Sequence, residues 1–210
     1  MIDSNMTYDI LKELFNISVG KAAEMLSDIV DQKIVLNVPN VEIINVSKDS
    51  IKMKDYLPEN ISGALMVSSI SFKESFTGTA NLIFPADKMK TFIRLCMHEE
   101  EDNYEDMDFN DIDFDIIKEI GNIILNCIMG ETGNSLSINF NYSLPEVKVF
   151  NQTDFCGNLQ KNEFVNILIL YITFIIGNTE IEGAIIVDLT LNSLKELLEK
   201  VGQIEDTFYD

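Results

Sequence analysis

The sequence predicts an α/β (α+β) fold: two pseudo-symmetric copies of a helix–strand–hairpin–helix unit that share one mainly antiparallel sheet. Three observations predict it. A polar pattern recurs 106 residues further along the chain. Each copy lies in a long apolar segment of helical periodicity, and alternating segments typical of strands follow it. With 210 residues the chain can form one core. We therefore predict one domain, 1–210, with repeats at about 5–98 and 108–201 joined by an acidic linker near 99–110.

The repeated pattern combines an acid, a second acid, an amide and a distant proline. The first copy is Asp9, Glu13, Asn16 and Pro39, and the second is Asp115, Glu119, Asn122 and Pro145. In both copies 22 residues separate the Asn from the Pro. Steps of four and three residues return to one face of a helix, so each copy predicts a narrow polar ridge on an otherwise apolar helix.

The first half is predicted to begin with a helix over about 5–31, capped by Ser4 or Thr7. A strand over 33–46 follows, in which Pro39 indicates an edge, a bulge or a strand end. Strands over 61–72 and 77–84 are expected to form a hairpin joined near 73–75. Pro85 then begins a helix that continues to His98, since proline is tolerated in a first helical turn.

The second half repeats this order. A cap at Asn110 or Asp111 leads into a helix to about residue 131, with Gly133 and Asn134 as its stop. Strands are predicted over 137–150, 163–176 and 181–188, with a hairpin turn at Gly177 and Asn178. A final amphipathic helix covers about 192–201. Each unit alone would leave a sheet face uncovered, so the two units are expected to pack together.

Composition excludes several classes of function. The formal net charge is −20, which disfavours nucleic acid and anionic membrane surfaces as partners. The most apolar stretch, 167–176, is too short to span a bilayer as a helix, and no secretory signal is evident. Three scattered cysteines fit unpaired thiols in a reducing cytoplasm. We expect a cytoplasmic protein without membrane insertion, and the acidic run at 99–110 is interpreted as a solvated linker.

The residues that most catalytic sites require are missing from the sequence. His98 is the single histidine, so a Ser-His-Asp or Cys-His arrangement cannot be built. No nucleotide-binding motif and no metal-ligand spacing occurs, so neither a metal site nor a cofactor of its own is expected. Paired carboxylates for glycoside chemistry lack a sugar-stacking Trp.

An acid and an amide on an exposed helix remain as candidates. Asn can orient a water without titrating, and phosphoryl transfer depends mainly on such positioning. A helix of this kind would have to insert into the active site of another protein, because the sequence offers neither a Mg²⁺ site nor a phosphate cradle.

The spacing Asp/Ser-x₃-Glu-x₂-Asn-x₂₂-Pro, present twice, resembles the signature of the CheC/CheX/FliY phosphatases of bacterial chemotaxis. The surrounding residues are similar too, notably Lys12-Glu13-Leu14-Phe15-Asn16 and Lys118-Glu119-Ile120-Gly121-Asn122. The resemblance extends over essentially the whole chain and is greatest to CheC, because both motifs are intact.

This resemblance implies a response-regulator phosphatase that hydrolyses the aspartyl phosphate of a CheY-like receiver domain. Asn16 and Asn122 would position the hydrolytic water, and Glu13 and Glu119 would contact the receiver's lysine. Mg²⁺ would belong to the receiver. By the same resemblance, Asp9 and Asp115 would be structural or recognition residues. Pro39 and Pro145 would be architectural. A non-catalytic adaptor that binds a receiver or CheD is the alternative.

Two departures from the family pattern bear on activity. The family often has Gly before the catalytic Asn, as in Gly121-Asn122, whereas the first copy has Phe15-Asn16. Phe15 either limits the approach of a partner or faces the core. Gly20 of the first copy is replaced by Asn126 in the second. We expect two competent sites of unequal activity, with the second favoured; the alternative is that one copy is a vestige of duplication.

Overall fold

The computed structural model describes residues 4–45, 57, 61, 63–74, 76–97, 109–161 and 166–207. The elements found in these residues, in chain order, are α1 (Ser4–Val30), β1 (Ile34–Asn45), β2 (Ala64–Glu74), β3 (Gly78–Pro85), α2 (Ala86–Cys96), α3 (Asp111–Leu136), β4 (Phe140–Tyr142), β5 (Glu146–Asn151), α4 (Gln152–Lys161), β6 (Asn166–Ile176), β7 (Thr179–Leu189) and α5 (Leu191–Thr207). The predicted linker lies outside these ranges, apart from its last two residues, and so does His98.

The strands form one seven-stranded sheet in the order β1-β6-β7-β3-β2-β4, with β5 also pairing β2. Every pairing is antiparallel. The turn between β6 and β7 has two residues, and Gly177 occupies its first position at φ 57°, as a type II′ hairpin requires. The predicted α+β fold, with one antiparallel sheet and two long motif helices, is confirmed.

The two halves of the chain interleave within this sheet. β1 pairs with β6 of the second half, and β4 and β5 of the second half pair with β2 of the first. The hairpin strands β3 and β7 meet at the centre. Each half therefore completes the sheet of the other half, and the sheet is continuous between them.

Helices cover both faces of the sheet. The larger core contains buried residues of α1, α2, α3 and α5 together with one face of the strands. On the opposite face, Phe155 and Leu159 of α4 pack with Leu57, Ile61 and the outward residues of the strands. A sheet with two apolar faces needs cover on both sides, which is the role of α4.

Several predicted boundaries differ from the structure, and α4 was not predicted at all. The strand predicted over 137–150 is two short strands, β4 and β5, separated at Pro145. Helix α3 continues to Leu136, past the expected stop at Gly133, and ends on Ser137 in the left-handed region at φ 52°. A Cβ at Gly133 would lie 2.7 Å from the carbonyl oxygen of Ile138, so this glycine allows close packing.

Smaller differences occur at three other element ends. Thr7 lies inside α1, one turn beyond Ser4, and therefore does not cap the helix. Pro85 is the last residue of β3 and precedes the first turn of α2 without a side-chain cap. α5 extends to Thr207, beyond the predicted end near residue 201.

Candidate functional site

Helices α1 and α3 lie side by side in opposite directions. The Nζ of Lys21 is 2.6 Å from Oε2 of Glu131, and the sulfur atoms of Met25 and Cys127 are 3.6 Å apart. Residue numbers thus rise along one helix as they fall along the other. At about 1.5 Å per residue, Asn16 and Asn122 are roughly 20 Å apart along the helix axes. The duplicated motif accordingly gives two separate candidate sites, one toward each end of the helix pair.

The first site is built on α1. Asp9 and Glu13 are exposed, and Asn16 is half-buried one turn after Glu13. The carboxamide of Asn16 binds the backbone of β1: Nδ2 donates to the Val38 carbonyl at 3.0 Å, and Oδ1 accepts from the Val38 N–H at 2.8 Å. Nδ2 also donates to the Lys12 carbonyl at 2.9 Å. Both amide donors and one acceptor position are therefore occupied.

The strand that Asn16 contacts contains a β-bulge. Asn37 pairs with Thr173 and Asn40 with Tyr171, so β1 has one residue more than β6 between these two pairs. Val38 and the exposed Pro39 lie between these two pairs, outside the regular register of the ladder. Pro39 has no N–H to satisfy, and Asn16 satisfies Val38. Pro39 was expected to mark an edge, a bulge or a strand end, and it lies at a bulge of an edge strand. In this first copy a bond between helix and strand joins Asn16 to the residue before the proline.

The second site, on α3, differs in its bonding. Asp115 and Glu119 are exposed, and Asn122 is half-buried. Nδ2 of Asn126 donates to Oδ1 of Asn122 at 2.7 Å. Leu144, which corresponds to Val38, is 84% exposed, and Pro145 is buried. Within the described part of the chain, the amide nitrogen of Asn122 has no hydrogen-bond partner, so its two donors remain open.

The residue before each Asn fixes how closely its helix packs on the sheet. Phe15 is 3% exposed and belongs to the larger core, which settles the question raised by the sequence: its ring faces the core. A Cβ at Gly121 would lie 2.1 Å from Oγ of Ser68 in β2. α3 therefore needs glycine where α1 uses a large ring, and neither residue covers the polar ridge.

Comparisons with known proteins show which sequences this chain resembles. Residues 6–43 match the model of a family described as the CheC-like family. The curated CheY-P phosphatase CheC of Bacillus subtilis (strain 168) is 25% identical over 144 residues, which cover 67% of this chain and 65% of that protein. The resemblance to the CheC-like family is confirmed.

Two solved structures share the fold of this chain. The Thermotoga maritima FliY structure superposes with a TM-score of 0.73 at 20% identity, covering 97% of this chain and 99% of that one. The FliM middle domain from H. pylori gives 0.62 at 11% identity, covering 95% and 99%. At these identities the likeness concerns the fold.

A polar cluster orients the second motif helix, and the sequence predicted only one part of it, the cap at Asn110. Asn110 and Asp113 form a capping box, in which each side chain accepts from the other's backbone N–H. Asp113 also accepts from Lys90 of α2, and both side chains are largely buried. The spacing Asn-x-x-Asp could have indicated the box, but Lys90 is brought in only by the tertiary fold.

The described residues contain no group of three Cys, His, Asp or Glu side chains that could hold a metal ion. No helix among them is long and apolar enough to cross a membrane.

Burial raises the pKa of the Cys96 thiol to about 12. Burial, with a smaller contribution from Glu131, also raises the pKa of Cys127.

Proposed function

We propose that this protein hydrolyses the aspartyl phosphate of a CheY-like receiver domain. One observation carries the proposal: each of two helices presents an exposed Glu and, one turn later, a half-buried Asn on the same ridge. The similarity to the CheY-P phosphatase CheC supports the same reaction class. The reaction regenerates the aspartyl carboxylate and releases inorganic phosphate, as a water oxygen bonds to phosphorus and the phosphorus–aspartyl oxygen bond breaks.

Each motif side chain has a role that its chemistry suits. Glu13 and Glu119 are exposed carboxylates that can pair with a lysine of the receiver. Asn16 and Asn122 orient the attacking water by hydrogen bonding, which requires no titrating group. The Mg²⁺ ion that stabilises the phosphoryl group is contributed by the receiver, and the phosphatase supplies only the inserted ridge.

The two sites are proposed to differ in activity. A carboxamide offers two donors and two acceptor positions. Three of these four are used within the protein at Asn16, whereas only one acceptor position is used at Asn122. Asn122 therefore keeps its donors for a phosphoryl oxygen while its oxygen holds the water, and the second site supplies most of the turnover.

The test is the decay of CheY-like receivers from the same genome, phosphorylated with acetyl phosphate, with and without this protein. The variant Asn16→Ala/Asn122→Ala should lose the acceleration while circular dichroism shows a folded protein. Asn122→Ala alone should remove more activity than Asn16→Ala alone. A double variant as fast as the wild type would refute the proposed mechanism.

The docking role of the glutamates is tested separately. Glu13→Lys/Glu119→Lys reverses the charge of two exposed residues and should weaken binding to a beryllofluoride-activated receiver. Glu24→Lys, the same charge reversal at an exposed position of α1 outside the motif, serves as the control. Unchanged affinity in the glutamate variant would exclude the contact with the receiver's lysine.

A non-catalytic adaptor is the second candidate, favoured by one observation at the first site. There the amide donors of Asn16 are already bound to Lys12 and Val38, which suits a docking surface better than a water-positioning one. An adaptor would bind the receiver, or CheD, without changing the rate of phosphate loss. Binding of purified CheD and of the receiver, measured beside the decay assay, distinguishes the two functions.

A further inference from the structure

We propose that Asn126 is a positioning residue for Asn122 at the second site, an inference that rests on the proposed phosphatase function. Asn126 lies one helical turn after Asn122 and is half-buried beside it. Its Nδ2 donates to Oδ1 of Asn122 at 2.7 Å, a short distance for an amide–amide hydrogen bond. The motif shared by the two copies does not include this position.

The bond matters because an Asn carboxamide does not orient itself. The terminal torsion of Asn is broad and roughly two-fold, so an amide without a partner exchanges the positions of its oxygen and nitrogen. In the structure Nδ2 of Asn126 is the donor, so the oxygen of Asn122 lies on the side of Asn126. Since the carboxamide is planar, the NH₂ group of Asn122 is then directed away from Asn126, with both hydrogens available to substrate.

The first copy shows what happens without this residue. Gly20 stands at the corresponding position and offers no side chain. Asn16 is oriented there by the backbone of Val38, which occupies a donor and an acceptor position of its amide. Orientation through Asn126 uses one acceptor position and leaves both donors open. The substitution of Gly by Asn therefore orients the amide and keeps its donors.

Asn126 acts through Asn122 and does not contact the reacting atoms. Its loss should therefore slow the chemical step and leave docking unchanged. A hydrogen bond of ordinary net strength corresponds to about a fivefold fall in kcat. A residue needed only for folding would instead change stability.

The experiment uses a Glu13→Lys background, which weakens docking at the first site so that turnover reports the second. Asn126→Leu keeps a similar volume without a donor, and Asn126→Gln keeps the donor. Asn134→Ala, an exposed Asn near the far end of α3, is the control. Phosphate release from the phosphorylated receiver gives kcat and KM, and urea unfolding gives stability.

The Leu variant should lose about fivefold in kcat with KM within about twofold, and Gln should recover at least half of the loss. Wild-type kcat in Asn126→Leu, or equal kcat in the Leu and Gln variants, would overturn the positioning role. If the wild-type protein does not accelerate phosphate loss from the receiver at all, the proposed function itself fails. The two failures are thus distinct.

Discussion

The side-chain carboxamide of Asn16 forms hydrogen bonds with both the N–H and the C=O of Val38, the residue immediately before Pro39. A side chain on α1 thereby takes the place of a neighbouring strand at the bulge of β1. In the first copy this contact ties the amide to the residue that precedes the motif proline, with 22 residues between Asn16 and Pro39. It also makes Asn16 a structural residue as well as a candidate site residue.

Asn16→Ala should lower the free energy of unfolding by about 1–3 kcal/mol, because the buried backbone groups of Val38 lose their partners. Asn122→Ala is the matched control, since its amide binds only Asn126. Urea unfolding of both variants measures the difference. Equal destabilisation would contradict the tether between α1 and β1.

Gly121→Ala should destabilise the protein by about 1–3 kcal/mol, since the new methyl group would overlap Ser68 and force α3 away from β2. Gly130→Ala on the same helix has open space and should stabilise by about 0.5–1 kcal/mol through helix propensity. Thermal unfolding of the pair provides the check. The same sign of change for both would refute the close approach at Ser68.

Asp113→Ala should cost about 3–5 kcal/mol, because it removes the capping box and leaves Lys90 largely buried without its carboxylate. Glu146→Ala breaks the exposed pair with Lys148 and should have no measurable effect. Denaturant midpoints compare the two. A small effect at Asp113 would mean that the other contacts of Lys90, among them the Phe109 ring, compensate for the lost carboxylate.

Cys96 should resist alkylation in the folded protein at pH 8. Burial raises its pKa to about 12, so even well above neutral pH only a small fraction of the thiol is the reactive thiolate. Iodoacetamide labelling followed by peptide mass spectrometry should show at least about a hundredfold slower reaction than in guanidinium-unfolded chain. Comparable rates in the two states would show that the thiol is accessible.

The sequence predicted both motif helices, the two hairpins and an irregular or edge position of the strand at Pro39, because each follows from local periodicity or from a proline. α4 was missed for a physical reason. Its ten residues carry only a short apolar face around Phe155 and Leu159, and its partners Leu57 and Ile61 are remote in sequence. Packing on the second face of the sheet stabilises this helix.

The bonding at the two sites could not be predicted in the same way. Glu and Asn recur with identical spacing, yet Asn16 binds Val38 whereas Asn122 binds Asn126. The difference arises from the strand that follows each motif helix. β1 runs beside Asn16, whereas the corresponding segment after α3 is divided into β4 and β5 at Pro145. Such a relation between helix and strand depends on tertiary packing, and the repeated motif does not encode it.

The exchange of strands between the halves has a consequence for how the chain folds during synthesis. The hairpin of β2 and β3 can form as soon as it is synthesised. β1 cannot pair until β6 has been made, and α3, β4, β5 and α4 all lie between these two strands in the chain. Contacts so distant in sequence slow folding, since a long loop must close before they stabilise anything. The amino-terminal helix and its motif thus acquire their final sheet only when the carboxy-terminal half has emerged.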